Sequence, residues 1–70
     1  MSIVRTEFTL STTDESFAIP GDVSAEQIVT NYATQFPALR TMTNTSSVVT
    51  VEGVGEVRKI IFSPRTGTKG

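Results

Sequence analysis

One amphipathic segment, residues 24–36, constrains the fold of this chain more than any other part of the sequence. Ser24 and Gln27 have the spacing of a capping box, which predicts a helix that begins after Ser24. Pro37 predicts the end of the helix, because the residue before a proline is excluded from the helical region. A single apolar stripe runs along the helix, formed by Ala25, Ile28, Val29, Tyr32, Ala33 and Phe36. A lone helix with one such stripe requires a sheet face to pack against.

Runs of alternating or β-branched residues lie on both sides of this helix and predict strands. Polar turn formers separate the first two runs, and Gly53 and Gly55 separate the last two, so each pair is expected to form a hairpin. A polar break at 44–47 is expected to isolate a short strand directly after the helix. The predicted strands are residues 3–10, 16–19, 39–43, 48–52 and 56–62.

The order hairpin, helix, strand, hairpin predicts an α+β fold of the β-grasp (ubiquitin-like) type. A mixed sheet of four or five strands would carry the helix on one face and leave the other face in water. In the last strand, Ile60 and Phe62 are expected to point inward, with Val57, Lys59 and Ile61 on the other face. The 70 residues suffice for one domain, here predicted at 1–62 and followed by a flexible C-terminal tail at 63–70.

The composition excludes most enzyme chemistry, since the chain has no cysteine and no histidine. Disulfides, Cys/His zinc sites, thiol nucleophiles and imidazole bases are therefore absent. Asp14 and Glu15 are interpreted as solvated turn residues, and Ser24 as a helix cap with no base to activate it. We expect no enzyme activity, no metal and no cofactor. Residues 1–10 lack a continuous apolar run, so we expect neither a signal peptide nor a membrane segment there. We expect a cytoplasmic protein that is a monomer when it is alone.

Charge is distributed unevenly, because all seven acidic residues precede residue 57 and only bases follow it. A basic end of this kind either docks on an acidic groove or on phosphates, or is simply a solvated terminus. Nucleic-acid binding is not expected, because single-strand binders add aromatic stacking platforms, and the aromatic residues here are mostly assigned to the core. The basic residues after 57 are Arg58, Lys59, Arg65 and Lys69.

Residues 63–70 contain a proline, two glycines and two bases but no apolar side chain, which predicts a flexible arm. The arm closes on Gly70. A glycine has no side chain to obstruct a narrow channel, so its carboxylate can be presented at an active site. The alternative is an ordinary frayed terminus.

Three motifs resemble those of protein C of the bacterial PRTRC gene cluster, over about three quarters of the chain. They are Ile19-Pro20 leading into residues 23–29, Tyr32-Ala33 with residues 36–39, and the closing residues 67–70. Members of that family are similar to ubiquitin-related β-grasp modifiers. Their genes lie beside those of a ThiF-like activating enzyme, a conjugating-enzyme-like protein and a metal-dependent peptidase. Related bacterial operons act in antiphage defence.

The resemblance implies a protein modifier whose Gly70 carboxylate is adenylated, transferred to a partner cysteine and joined to a target amine through an isopeptide bond. The tail residues implied in this conjugation are Arg65, Gly67, Thr68, Lys69 and Gly70, with Lys59 as a possible acceptor amine. Two alternatives stay open. In the first, the chain is a β-grasp docking or adaptor module without covalent chemistry; in the second, it is a ThiS-like sulfur carrier.

Overall fold

A computed structural model describes residues 2–65 of the chain. Two strands form the first hairpin, β1 (Ile3–Leu10) and β2 (Glu15–Pro20). The helix α1 (Ala25–Tyr32) follows, and a short 3-10 helix (Pro37–Thr41) comes after it. The second hairpin is built from β3 (Met42–Val51) and β4 (Gly55–Pro64).

The four strands form one mixed sheet with the order β2-β1-β4-β3. Each hairpin is antiparallel, whereas the two central strands β1 and β4 run parallel to each other. The helical segment between the hairpins supplies the crossover that a parallel pair needs. The described residues therefore form a β-grasp-like α+β fold, and the prediction of a mixed sheet with a single α-helix is confirmed.

One face of the sheet packs against the helical segment and forms the core. Phe8 lies at its centre, with ring centroids 5.2 Å from Tyr32 and 6.0 Å from Phe62. These separations and the edge-on arrangement are favourable for aromatic pairs. The predicted inward direction of Ile60 and Phe62 is confirmed. The buried core cluster consists of Phe8, Leu10, Ile28, Leu39, Ile60 and Phe62.

Thr6 is the buried polar residue of the covered face. Its hydroxyl donates to the carbonyl of Gly21 at 2.8 Å and accepts the backbone N–H of Val23 at 2.8 Å. Both partners lie in the turn between β2 and α1. This side chain therefore ties the start of the helical segment to the centre of the sheet and satisfies two backbone groups there.

The helix begins as predicted and ends earlier than predicted. The hydroxyl of Ser24 accepts the N–H of Gln27 at 3.2 Å, and the Gln27 side chain completes the capping box. The predicted end at residue 36 is wrong, since α1 ends at Tyr32. The N–H groups of Gln35 and Phe36 both bond the carbonyl of Tyr32, so a tight turn closes the helix.

The strand predicted at 39–43 is wrong for residues 39–41, because β3 begins only at Met42, and the break predicted at 44–47 is wrong. Pro37 starts a 3-10 helix, which suits a residue without an N–H at a first helical position, and this helix buries Leu39. β3 then runs without interruption from Met42, since β4 pairs with it along its whole length. The polar residues at 44–47 are tolerated because this strand lies at the edge of the sheet and is largely exposed.

The end of β4 lies two residues beyond the predicted domain boundary at residue 62. Ser63 and Pro64 belong to the strand and pair with Thr43 and Met42. The expected flexible arm at 63–70 is therefore wrong for its first two residues. Within residues 2–65, neither helix is long and apolar enough to cross a membrane.

Candidate functional site

The last described residues lie beside an open groove at the C-terminal end of β4. Pro64 and Arg65 form one wall of this groove, which has a volume of about 630 Å³. Arg40, from the 3-10 helix, also lines it. Both arginines are exposed, and the groove has no acidic side chain among its described lining residues. Two cations therefore face the point where the chain continues past β4, which favours an anionic occupant.

A smaller apolar cavity of about 270 Å³ adjoins this groove and shares Thr12, Ala38 and Met42 with it. Its floor includes the core residues Leu10 and Leu39. The smaller cavity, which Glu15 also lines, suits an apolar side chain.

The face of the sheet opposite the core carries exposed apolar side chains. Val57, Lys59 and Ile61 lie on this open face, as predicted from their alternation with the core residues of β4. Val57 is fully buried although it is not part of the core cluster. Ile61 remains 49% exposed, and Val49 of the neighbouring strand 37%. The open face therefore offers a small apolar surface next to an amine.

Lys59 lies in a charged cluster at the centre of the open face. Its ammonium is 3.4 Å from a carboxylate oxygen of Glu7, whose other oxygen accepts a 2.7 Å hydrogen bond from Arg5. The hydrogen bond from Arg5 is the largest influence and lowers the pKa of Glu7 below its ordinary value; burial opposes it, and the interaction with Lys59 lowers the pKa further. The carboxylate is therefore charged at neutral pH and holds Lys59 above the sheet. The role of Lys59 as an acceptor amine stays a prediction.

Arg58 lies on the opposite face of the sheet from Lys59. Its guanidinium donates to Asp22 at 2.7 Å and to the hydroxyl of Ser46 at 3.1 Å. The hydrogen bond to Asp22 raises the pKa of Arg58. Arg58 thus points to the helix side of the sheet and Lys59 to the open face, whereas Arg65 lies at the end of β4. Among the described residues, the bases after residue 57 do not form one patch.

The tail residues implied in conjugation lie mostly outside the described part of the chain. Arg65 is described and exposed, whereas Gly67, Thr68, Lys69 and Gly70 are outside residues 2–65. Within that same range, no group of three or more Asp or Glu residues is placed to hold a metal ion.

Sequence reasoning missed Arg40 and Glu7. Arg40 reaches the groove because Met42 pairs with Pro64, and Glu7 meets Lys59 because these two residues pair in the parallel ladder. Neither register has a local sequence signal. No protein-family model, curated protein or solved structure matches the chain.

Proposed function

We propose that the protein is a ubiquitin-like modifier whose Gly70 carboxylate is activated by a ThiF-like enzyme and joined to target amines. The observation that supports this best is the position of β4. This central strand of a β-grasp-like sheet leads directly into residues 65–70, beside a groove lined by Arg40 and Arg65. If the natural chain continues past Gly70, a peptidase first exposes this carboxylate.

In the proposed reaction, the Gly70 carboxylate attacks the α-phosphate of ATP, which forms an acyl adenylate and releases pyrophosphate. A cysteine thiolate of a partner then displaces AMP and forms a thioester. Finally, a target amine attacks the thioester carbonyl, the thiolate leaves, and an isopeptide bond forms after loss of a proton. The catalytic groups belong to the partners, because this chain contains no cysteine or histidine.

The chain itself supplies recognition and access in this proposal. Arg40 and Arg65 attract acidic residues around the partner's channel, and exposed Ile61 adds apolar contact on the open face. Gly67 and Gly70 let the backbone pass through a narrow channel. The same tail with a terminal thiocarboxylate would serve a ThiS-like sulfur carrier.

The proposal is tested by intact mass spectrometry after incubation with the ThiF-like enzyme, the conjugating-enzyme-like protein and ATP. Full-length protein is compared with a variant that lacks Gly70, and both are checked for folding by circular dichroism. We expect an adenylate or thioester with the full-length chain and none with the variant that lacks Gly70. No adduct on a folded chain that still binds the enzyme would contradict the proposal, and a thiocarboxylate would point to sulfur transfer.

Lys59→Arg refines the same experiment, because it keeps the charge beside Glu7 and removes the acceptor amine. If Lys59 is the acceptor, the variant forms the thioester normally and loses self-linked chains. Self-linkage at an unchanged level would assign the acceptor to another amine.

A docking module without covalent chemistry is the second candidate, and the exposed Ile61 and Val49 on the open face favour it. A docking module keeps its partner affinity and its cellular effect after deletion of Lys69 and Gly70. A modifier keeps much of its affinity but loses the cellular effect.

A further inference from the structure

The two edges of the sheet differ in how they are protected against pairing. β2 is short, begins with the charged Glu15 and ends at Pro20, which cannot donate a hydrogen bond. β3 is ten residues long and contains neither a charged residue nor a proline. Its register with β4 has no shift. The outer edge of β3 therefore presents a long regular row of backbone groups to a further strand.

The charges that flank β3 have opposite signs at its two ends. Arg40 precedes the strand by two residues, and Glu52 follows it directly. Both side chains are exposed, and within residues 2–65 neither has an ion-pair partner. An added strand that is antiparallel to β3 and has the same charges at its ends would be complementary to this edge.

A second copy of the chain satisfies this condition. Two β3 edges related by a twofold axis perpendicular to the sheet run antiparallel, and each sheet face continues into the same face of the other copy. With the axis at Ser46, Met42 of each copy faces Thr50 of the other, so nine of the ten residues of each strand overlap. Continued past the strands, this register brings the 3-10 helix that carries Arg40 next to the Glu52 end of the other β3. A parallel arrangement would place Arg40 beside Arg40 and is disfavoured.

We propose that the protein forms a twofold dimer in which the β3 edges pair and the two sheets become one sheet of eight strands. The dimer replaces the monomer expected from the sequence alone. Because β3 is uncharged, no like charges face each other along the ladder. Pairing also covers the exposed residues Val48 and Val49, which lie on opposite faces of the strand.

Sedimentation equilibrium of the full chain at low salt, over a range of protein concentrations, tests this proposal. Glu52→Arg places two arginines at each end of the paired edges, so we expect the dimer dissociation constant to rise about tenfold. The double variant Arg40→Glu/Glu52→Arg restores opposite charges and should return the constant to the wild-type range. Glu15→Arg, on the opposite edge of the sheet, is the matched control and should leave dimerisation unchanged.

Three results would overturn the proposal. The wild-type chain could stay monomeric at about millimolar protein concentration, at which even most weak specific dimers would form. The dimer could be as strong in Glu52→Arg as in the wild type, which would place the interface elsewhere. The double variant could fail to restore dimerisation while circular dichroism shows it folded. Amide exchange adds an independent readout, because alternate residues of β3 should gain protection as the protein concentration rises.

Discussion

The two faces of the sheet are built from the same strands and have opposite properties. The covered face carries Phe8, Ile60 and Phe62, which are almost completely inaccessible to water. The open face carries the charged cluster around Glu7 and the half-exposed Ile61. On β4 successive side chains point to opposite faces of the sheet, so neighbouring residues differ in burial.

This difference separates the surface that stabilises the fold from the surface that the proposed function would use. A chain of this length has a free energy of unfolding of about 4–10 kcal/mol, most of which must come from burial of a few large side chains. The covered face supplies that burial. Apart from the buried Val57, the open face contributes little to the core and leaves Ile61 exposed, and the groove at Arg40 and Arg65 is open as well.

The neighbouring residues Phe62 and Ile61 offer the strongest test of this comparison. Phe62→Ala removes a fully buried ring and should cost about 3–5 kcal/mol, which is a large part of the free energy of unfolding of the domain. Ile61→Ala is the matched control on the open face and should cost about 1 kcal/mol or less. Urea unfolding followed by circular dichroism measures both. Equal losses at the two positions would mean that the open face also carries core packing.

Two threonines of β1 provide a test of intermediate size. Thr6→Val keeps the shape of the side chain but leaves the carbonyl of Gly21 and the N–H of Val23 without their bonds, so we expect a loss of about 1–3 kcal/mol. Thr9→Val removes an exposed bond to Ser16 on the open face and should change stability by less than about 0.5 kcal/mol. The same urea titrations check this difference. A small loss at Thr6 would show that water replaces its hydroxyl.

Glu7→Gln should have the smallest effect and a distinctive pH dependence. The pKa of Glu7 is lowered in the folded protein, so its ionised form stabilises the fold above the unfolded-state pKa and this contribution disappears as the pH falls through the folded-state pKa. Solvent screens the pairing of Glu7 with Arg5 and Lys59. We therefore expect the free energy of unfolding of the wild type to exceed that of the variant by about 0.5 kcal/mol at neutral pH and low salt. Urea unfolding at pH 7 and pH 3 measures the difference. A difference that persists at pH 3 would contradict the electrostatic origin.

Local signals predicted part of this structure from the sequence. The capping box at Ser24 and Gln27 and the alternation in β1 act over a few residues, and both were interpreted correctly. The secondary structure of residues 39–47 was not predicted correctly, because an edge strand with both faces exposed has no apolar alternation to reveal it. The neighbours of Lys59 and Arg65 depend on strand registers, which join residues far apart in the chain.

The central claim combines the stabilising role of the covered face with the proposed role of the open face and the groove in binding the partners named under the proposed function. It is tested most directly by titrating isotope-labelled protein with the ThiF-like enzyme and following each backbone amide by NMR. We expect loss of signal at residues of the open face and the groove, such as Lys59, Ile61 and Arg65. Perturbation confined to the exposed side of α1, at Glu26 and Thr30, would contradict the claim.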